Sequence, residues 1–411
     1  MTERAAHLVD YVIPEVPVRQ YVLTLPFRLR FLAAFDHDLR RAVLRVFTNS
    51  VFAHYRLRAR RIGLHNSRCG SVTVTQRFDS RLGLNVHFHS ILLDGVYVRP
   101  DPNRRPVFHP LAPPTNGDIE HLVARIARKV QALLHDRGLT DDDAFQTCVD
   151  DLIEDDPSLT RLAAASAQGT LALGRAMGHP VPRLYTQPPD SEPLQHQDPR
   201  DGDIPTPRRH PPRCAAVDGF NLHANTAVPE HSRGRLENLC TYISRGPISH
   251  DRLGLTDDGH VIVQLKRAWR DGTAAFVYAP QEFIARLAAQ VPFPHLNTIT
   301  YAGVLAANAA WRDDVIPRGA PRRRAEDQPA SRDERQRLRR DRRRFADLLF
   351  RTFGIDLFRC RCGGRYRELA LIRDPDVASR ILDSIGLRPH PLPIHSARPP
   401  PAAQQDFDWA A

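Results

Sequence analysis

The sequence predicts an α+β fold in which helices pack against a five-stranded antiparallel sheet. The first observation is a pair of segments with alternating apolar and polar residues, 71–78 and 85–93, on either side of a turn. Such alternation is typical of a β-hairpin. The second observation is a similar pair, 261–265 and 274–278, which flanks the turn Arg270-Asp271-Gly272. With one strand near the start of the chain, these hairpins supply the five strands.

In chain order, a strand at 21–25 is followed by a helix, the first hairpin, an insertion, a second helical region and the second hairpin. The predicted helices have apolar residues at helical spacing or are rich in alanine. They cover residues 36–61, 118–137, 159–177, 233–245 and 280–289. The insertion spans 100–215, and its second part, 179–213, is dense in proline, histidine and charge, which indicates a flexible surface loop.

The composition limits the class of protein. The chain has 411 residues, of which 42% are hydrophobic, so it can bury a large core in two or three domains. The net charge of +11 favours a polyanionic partner, although a GC-rich genome would produce the excess of arginine over lysine by itself. No apolar run reaches membrane length, and no secretory signal is seen. The six scattered cysteines suit a reducing cytoplasm.

Two histidines in the first hairpin form the most informative pattern. His87 and His89 are separated by one residue of a strand, so their side chains project from the same face. Two neutral imidazoles can hold a divalent cation, and a cation beside a nucleophile is a common means of cleaving phosphodiesters. If the hairpin closes symmetrically, Gln76 lies opposite His87 and its amide oxygen completes a ligand set suited to Mg²⁺ or Mn²⁺. The alternative is a strand with two partly exposed histidines.

The helix predicted over 233–245 presents a tyrosine on its polar side. Its apolar stripe consists of Leu236, Leu239, Cys240 and Ile243. Tyr242 lies off that stripe, between Asn238 one turn before it and Arg245 one turn after it. Arg235 lies near the same side. A tyrosine among arginines can meet a phosphate group, and the alternative is a tyrosine at the rim of the core with its hydroxyl in water.

These segments, in this order, resemble the transposases of rolling-circle insertion sequences, members of the His-hydrophobic-His superfamily of single-strand endonucleases. The resemblance runs from Ala5 to about Leu387. It is carried by residues 18–26 (VRQYVLTLP), 76–78 (QRF), 84–89 (LNVHFH), 239–242 (LCTY), 267–273 (RAWRDGT) and 301–305 (YAGVL). It implies the α+β fold of that superfamily, His87 and His89 as metal ligands, and Tyr242 as the nucleophile.

The resemblance also implies the reaction. Tyrosine attack on DNA would give a 5′-phosphotyrosine link and a free 3′ hydroxyl, with Mg²⁺ or Mn²⁺ as the cofactor. Because one phosphoester replaces another, strand joining would need no nucleoside triphosphate, and the chain contains no Gly-rich Walker sequence. The role of Gln76 comes from the hairpin geometry and not from the resemblance.

The expected DNA contacts lie beside the tyrosine, in the hairpin and in the basic C-terminal region. They are Arg235, Asn238, Arg245, Arg77, Arg340 and Arg343. The last two belong to an arginine-rich segment, 318–344, whose predicted helix begins near Ser331. That helix either follows a DNA backbone or is a solvated linker.

Three features depart from the family pattern. The founding members carry two tyrosines one helical turn apart, whereas the positions four away from Tyr242 are Asn238 and Gly246. The family usually begins with a cysteine-rich zinc module, and this chain starts where that module would end, through loss of the module or a misassigned start codon. The family's cysteine knuckle is one residue shorter here, Cys360-Arg361-Cys362, so zinc is not expected and a bare turn or a half-site shared in a dimer is the alternative.

The expected organisation has five parts. They are 1–99 and 216–315, the two parts of a catalytic nuclease domain; 100–215, the insertion; 316–388, the arginine-rich helix and cysteine turn; and 389–411, a disordered tail. The expected partner is single-stranded DNA at element ends, without a membrane and with a homodimer left open, in the bacterial cytoplasm at the nucleoid. Two alternatives stay open: a non-catalytic DNA-binding remnant, and a rolling-circle replication initiator or relaxase.

Overall fold

The computed structural model describes residues 2–140, 154, 156–186, 212–269, 271–292, 296–317, 345–360, 362–366, 372 and 374–386. The chain divides into two compact units, residues 1–333 and 334–411. The described residues of the first unit carry the sheets, and those of the second carry two short helices with a turn closed by the backbone of Cys360 and Gly364. Among the described helices, none combines the length and the apolarity needed to cross a bilayer.

The described residues of the first unit alternate between helices and strands. Its helices are α1 (Thr2–Tyr11), α2 (Phe27–Phe35), α3 (His37–Arg61), α4 (Asn116–Asp136), α5 (Pro157–Gln168), α6 (Arg233–Ile243), α7 (Pro280–Ala288) and α8 (Arg312–Val315). Its strands are β1 (Val18–Thr24), β2 (Gly70–Phe78), β3 (Leu84–Leu93), β4 (Gly95–Val98), β5 (Val107–Pro110), β6 (Arg183–Tyr185), β7 (Cys214–Val217), β8 (Phe220–His223), β9 (Ala227–Val228), β10 (Leu253–Leu255), β11 (Val261–Gln264), β12 (Thr273–Tyr278) and β13 (Ile299–Gly303). The second unit contains α9 (Phe345–Phe353) and α10 (Pro375–Ser384).

The predicted helices agree with these bounds to within about two residues at most ends. The exception is the helix expected over 159–177, which ends at Gln168. Gly169 adopts a left-handed conformation with φ of 76°, a typical end of a helix.

Seven of the described strands form the main sheet, which is antiparallel. Its order is β13-β2-β3-β1-β8-β7, and β9 also pairs with β1. The predicted α+β class is confirmed, but the five predicted strands do not form one sheet. The hairpin β11–β12 instead joins β10 and β6 in a separate four-stranded sheet. In the main sheet, β8 lies beside β1 and β13 lies beside β2, in place of that hairpin. These strands are four and five residues long, too short for alternation to mark them in the sequence.

The hairpin of β2 and β3 forms in the predicted register, with Gln76 opposite His87. Its turn is held by the Asp79 carboxylate, which accepts hydrogen bonds from the backbone N–H groups of Arg81 (3.0 Å) and Gly83 (2.7 Å). An aspartate that binds the backbone of its own turn is a strong local signal. The turn therefore brings the two strands into register where the sequence places it.

Alternation along β3 assigns its side chains to two different cores. Val86 and Phe88 pack in the core formed with α2, α3 and α4, whereas Ile91 packs in the core formed with α1 and α6. His87 and His89 share the parity of Ile91 and therefore belong to the face of the main sheet that α1 and α6 cover. This face is called the site face below, and the other is called the opposite face.

Helix α6 lies on the site face through the apolar stripe that the sequence predicts. Leu236, Leu239, Cys240 and Ile243 are all buried. Arg233, at the start of α6, donates hydrogen bonds to the backbone oxygens of Val9, Ile13 and Pro14 at the end of α1. The last carbonyls of a helix have no partner within the helix, so this guanidinium satisfies them and holds α6 against α1.

Candidate active site

His87 and His89 lie side by side on the site face. Their Nε2 atoms are 3.0 Å apart, and their ring centroids are separated by 4.8 Å. Burial lowers the pKa of both imidazoles, and for His89 burial, with smaller effects of His87 and Arg245, lowers it to about 3. Both rings are therefore neutral at neutral pH, the state in which imidazole binds a metal.

A chain of hydrogen bonds assigns the protons of the two rings. His87 Nδ1 lies 2.8 Å from the backbone oxygen of Asn85, which can only accept, so Nδ1 carries the proton and Nε2 has the lone pair. His89 Nε2 can then donate to His87 Nε2, and the Gln20 amide Nε2 can donate to His89 Nδ1 at 2.8 Å. All four ring nitrogens thus have a partner, which offsets the cost of burying them.

Gln20 is a functional candidate that the sequence analysis missed. It lies on β1, is 5% exposed, and shares the site face because its partner in the register is Ile91. A single glutamine two positions after the start of a strand carries no local signal. Only the pairing of β1 with β3 brings it to His89.

The histidine pair fits a divalent cation. Two ligand atoms at about 2.1 Å from one octahedral ion and at right angles lie about 3 Å apart, which matches the separation of the two Nε2 atoms. To bind through Nε2, His89 must carry its proton on Nδ1, where the Gln20 amide oxygen can accept it after rotation of the amide. In the part of the chain that the structure describes, no three or more His, Cys, Asp and Glu side chains are grouped to hold a metal ion.

Gln76 connects the histidine pair to the tyrosine helix. It is 4% exposed, and its Nε2 donates a hydrogen bond of 2.8 Å to the backbone oxygen of Ile243. Ile243 is the residue after Tyr242. The Gln76 amide thus links the strand opposite His87 to the end of α6, and its Oε1 is the atom that could bind a cation.

Tyr242 lies next to the histidine pair. Its side chain is 41% exposed, and its ring meets that of His89 edge to face, with centroids 6.0 Å apart and an interplanar angle of 84°. The Arg245 guanidinium lies 4.2 Å from the centroid of the Tyr242 ring, and its Nη2 is 3.5 Å from the phenolic oxygen. The predicted nucleophile and the predicted ligands, which are far apart in the sequence, therefore meet on one face of the sheet.

Lys266 is a second residue that sequence reasoning missed. It follows β11, and its ammonium lies 5.6 Å from the centroid of the Tyr242 ring. Partial desolvation, with the nearby charges of Arg245 and Arg252, lowers the pKa of Lys266. Arg245 and Lys266 place two positive charges beside one tyrosine, so a phosphate group that bound between them would be stabilised. The available signal was that lysine is rare in this chain, where Lys129 is the other one.

The predicted DNA contacts have different positions. Arg235 and Asn238 are exposed on α6, at helical spacing from Tyr242.

The prediction that Arg77 contacts DNA requires a correction. Arg77 is 6% exposed, and its Nη1 donates a 2.6 Å hydrogen bond to the backbone oxygen of Ala34 on the opposite face. Burial lowers the pKa of Arg77 to about 10. It supports the end of α2 and is not an exposed contact beside Tyr242, because its side chain alternates with that of Gln76. The predicted contacts Arg340 and Arg343 lie outside the described residues.

Comparison with known proteins gives one finding. A family model described as "Putative transposase" matches residues 70–312, more than half of the chain. The matched segment contains β2, β3 and α6, and with them the histidine pair and Tyr242. Searches of curated proteins and of solved structures each find no match.

Proposed function

The chain belongs to the Y2 family of transposases, and from this premise we propose that it is a metal-dependent single-strand DNA endonuclease and strand transferase. It acts at the ends of a mobile element in rolling-circle transposition and forms a 5′-phosphotyrosine intermediate. The observation that carries the proposal is the contact of Tyr242 with His89, whose ring centroids are 6.0 Å apart. This contact joins a nucleophile to a pair of metal-binding nitrogens.

Tyr242 is the nucleophile. Its phenolic oxygen forms a bond to the scissile phosphorus while the bond from phosphorus to the 3′ oxygen breaks. The phenol loses its proton and the 3′ oxygen gains one. The positive charges of Arg245 and Lys266 beside the ring favour the anionic phenol during attack and hold the phosphate. Reversal of the step joins a strand without a nucleoside triphosphate.

His87, His89 and the amide oxygen of Gln76 would hold the cation. Mg²⁺ or Mn²⁺ would supply neutralisation of charge on the scissile phosphate. The backbone oxygen of Asn85 and the Gln20 amide orient the two imidazoles through their Nδ1 atoms. This second layer of hydrogen bonds holds the Nε2 atoms toward each other and limits their rotation.

The chain contributes one tyrosine to the reaction, because Asn238 and Gly246 occupy the positions one turn away. Two strands cannot be held by two phenols of the same helix. Strand exchange therefore either reuses Tyr242 after release of the first strand or takes a phenol from a second copy of the chain. Arg235 and Asn238 extend the exposed surface of α6 along which the strand lies.

The proposal is tested by incubating the protein with labelled single-stranded oligonucleotides of the element ends and Mn²⁺, followed by denaturing electrophoresis. We expect a slow-migrating covalent adduct that is lost in Tyr242→Phe, which removes only the attacking oxygen. Tyr185→Phe is the matched control, since Tyr185 is 62% exposed and lies on β6, and it should retain the adduct. An adduct that persists in Tyr242→Phe would refute the assigned nucleophile.

Metal dependence is tested on the same adduct. Chelation, or replacement of both histidines by alanine, should lower adduct formation by about three orders of magnitude or more, since a catalytic metal supplies several kcal/mol. Binding of the strand should remain, because arginine contacts to phosphates do not depend on the histidines. A wild-type protein that binds the strand but forms no adduct would be a DNA-binding protein without nuclease activity.

A further inference from the structure

A cavity of about 520 Å³ adjoins the proposed active site on the site face. Its walls come from β2, from the end of α6 with the residues after it, and from the segment after α7. Gln76 and Arg245 line it, so the cavity begins where the residues around the scissile phosphate end. A volume of this size is typical of a site for a small organic group.

The walls of the cavity are mostly apolar. Val74, Ile243, Ile248 and Leu287 contribute the main apolar side chains. Apolar side chains suit the faces of a planar ring, and proteins that hold an unstacked base place it between aromatic or apolar side chains. This part of the cavity favours an aromatic ligand over a sugar or a phosphate.

Four residues that line the cavity have a buried polar atom without a hydrogen-bond partner. One is Nε of Arg77, whose guanidinium is bound to Ala34 on the opposite face. The others are the hydroxyl of Ser244, Nε of Arg245 and Oε1 of Gln290. Gln290 is itself only 6% exposed, and its Nε2 is occupied by the backbone oxygen of Leu82. Buried polar groups in folded proteins nearly always have partners, and groups without one point to a ligand.

The atoms of Ser244, Arg245 and Gln290 form a complementary set. Arg245 Nε offers a donor, Gln290 Oε1 offers an acceptor, and the Ser244 hydroxyl can act as either. The edge of a nucleobase carries donors and acceptors side by side on a flat ring, which matches both the polar atoms and the apolar walls. A phosphate offers only acceptors and would leave Gln290 Oε1 unpaired.

We propose that this cavity binds one unstacked base of the single-stranded DNA, next to the phosphate that Tyr242 attacks. The inference rests on the proposed function, since that function brings a strand to Tyr242. A base paired in a duplex has its edge occupied by its partner and cannot enter without being extruded. The cavity therefore selects unpaired DNA and contributes a preference for the base beside the cleaved bond.

The test measures equilibrium binding of fluorescent 12-mers in EDTA, so that no cleavage occurs. The probes are dA, dC and dT homopolymers, an alternating dG and dT strand, and a strand of abasic units with the same number of phosphates. Ser244→Phe fills the cavity and should lower the affinity for at least one base-containing strand by tenfold or more. Its affinity for the abasic strand should equal that of the wild type. Wild-type affinity of Ser244→Phe for all four base-containing strands would overturn the inference.

Ser244→Ala gives a milder variant that does not depend on tolerance of a large side chain. Loss of one hydrogen bond should lower the affinity for the preferred strand about two- to tenfold. Ser50→Ala is the matched control, because the Ser50 hydroxyl in α3 is also buried without a partner, away from the cavity, and its loss should change no affinity. If Ser244→Phe does not fold by circular dichroism, unchanged binding by Ser244→Ala overturns the inference.

The outcomes separate this inference from the proposed function. If the wild type forms no covalent adduct but the Ser244 variants lose base-dependent binding, the nuclease proposal fails and the base site stands. If the adduct forms and both variants bind every strand as the wild type does, the nuclease stands and the base site fails.

Discussion

The two faces of the main sheet use buried polar groups in different ways. On the opposite face, the Arg19 guanidinium binds the Asp94 carboxylate at 2.7 Å, and the Tyr55 hydroxyl donates to the same carboxylate at 2.6 Å. Burial would lower the pKa of Arg19, but the hydrogen bond and the charge of Asp94 outweigh it and raise that pKa. On the site face, His89 is buried and His87 is partly buried, and both rings are held by neutral hydrogen bonds.

The difference shows which polar groups serve stability and which remain available for chemistry. The Arg19, Asp94 and Tyr55 group ties β1 to α3 and the end of β3, and it leaves no charge unpaired. The histidine pair is held by neutral hydrogen bonds from Gln20 and to Asn85, which a cation can replace or reorganise. A buried charge pair that loses one partner is costly, whereas neutral groups can exchange partners at lower cost.

The largest expected effect tests the opposite face. Asp94→Ala leaves the buried charge of Arg19 without its partner and should lower the free energy of unfolding by about 3–5 kcal/mol. Urea unfolding followed by circular dichroism measures this change. Asp38→Ala is the control, because Asp38 contacts Arg41 at the surface at 4.0 Å and should cost less than about 1 kcal/mol. Equal costs for the two variants would contradict the contrast between the faces.

The next effect tests whether Gln20 orients the imidazole of His89 on the site face. Gln20→Leu removes the group that can accept the Nδ1 proton of His89, so Mn²⁺ affinity should fall about 10- to 100-fold. Electron paramagnetic resonance of free Mn²⁺ measures that affinity without any DNA. Gln131→Leu, on the exposed side of α4, is the matched control and should leave the affinity unchanged.

A second measurement on the metal-free protein separates orientation from a general loss of structure. In the wild type, ¹⁵N NMR of the imidazoles should find the His89 proton on Nε2, and in Gln20→Leu a mixture of tautomers is expected. A Gln20→Leu protein with wild-type Mn²⁺ affinity would remove Gln20 from the site.

The smallest effect is the pH dependence of stability in the metal-free protein. Burial lowers the folded pKa of His89 to about 3 from an ordinary value of 6.5, and that of His87 is also lowered. Below pH 6.5 the unfolded chain therefore binds more protons than the folded chain. The stability contributed by the neutral imidazoles should be complete above pH 6.5. It should fall as the pH decreases, for His89 down to about pH 3 and by up to about 1.4 kcal/mol per pH unit. His87 should add a loss of stability in the same direction.

Urea unfolding at pH 7.5, 6.5 and 5.5 measures this slope. The variant with both histidines replaced by alanine should lose less stability over this range than the wild type does. His54 keeps part of the slope in both proteins, because burial also lowers its pKa. Identical slopes in the two proteins would mean that the two histidines are not buried as neutral groups.

The sequence alone determined the features that depend on neighbouring residues. The α+β class, the bounds of α3 and α6, the apolar stripe of α6 and the register of Gln76 with His87 all follow from periods of two and 3.6 residues and from the chemistry of one turn. Periodicity also placed His87 and His89 on one face. These inferences needed no information about residues distant in the chain.

Only the tertiary structure decided which elements cover each face and which distant side chains meet there. It brought Gln20 and Lys266 to the site, placed Arg77 under α2, and moved the hairpin β11–β12 into a second sheet. Periodicity states which residues share a face but does not identify the partner of that face. The partner is selected by the free energy of packing whole helices and strands, which depends on surfaces that no single segment of the chain contains.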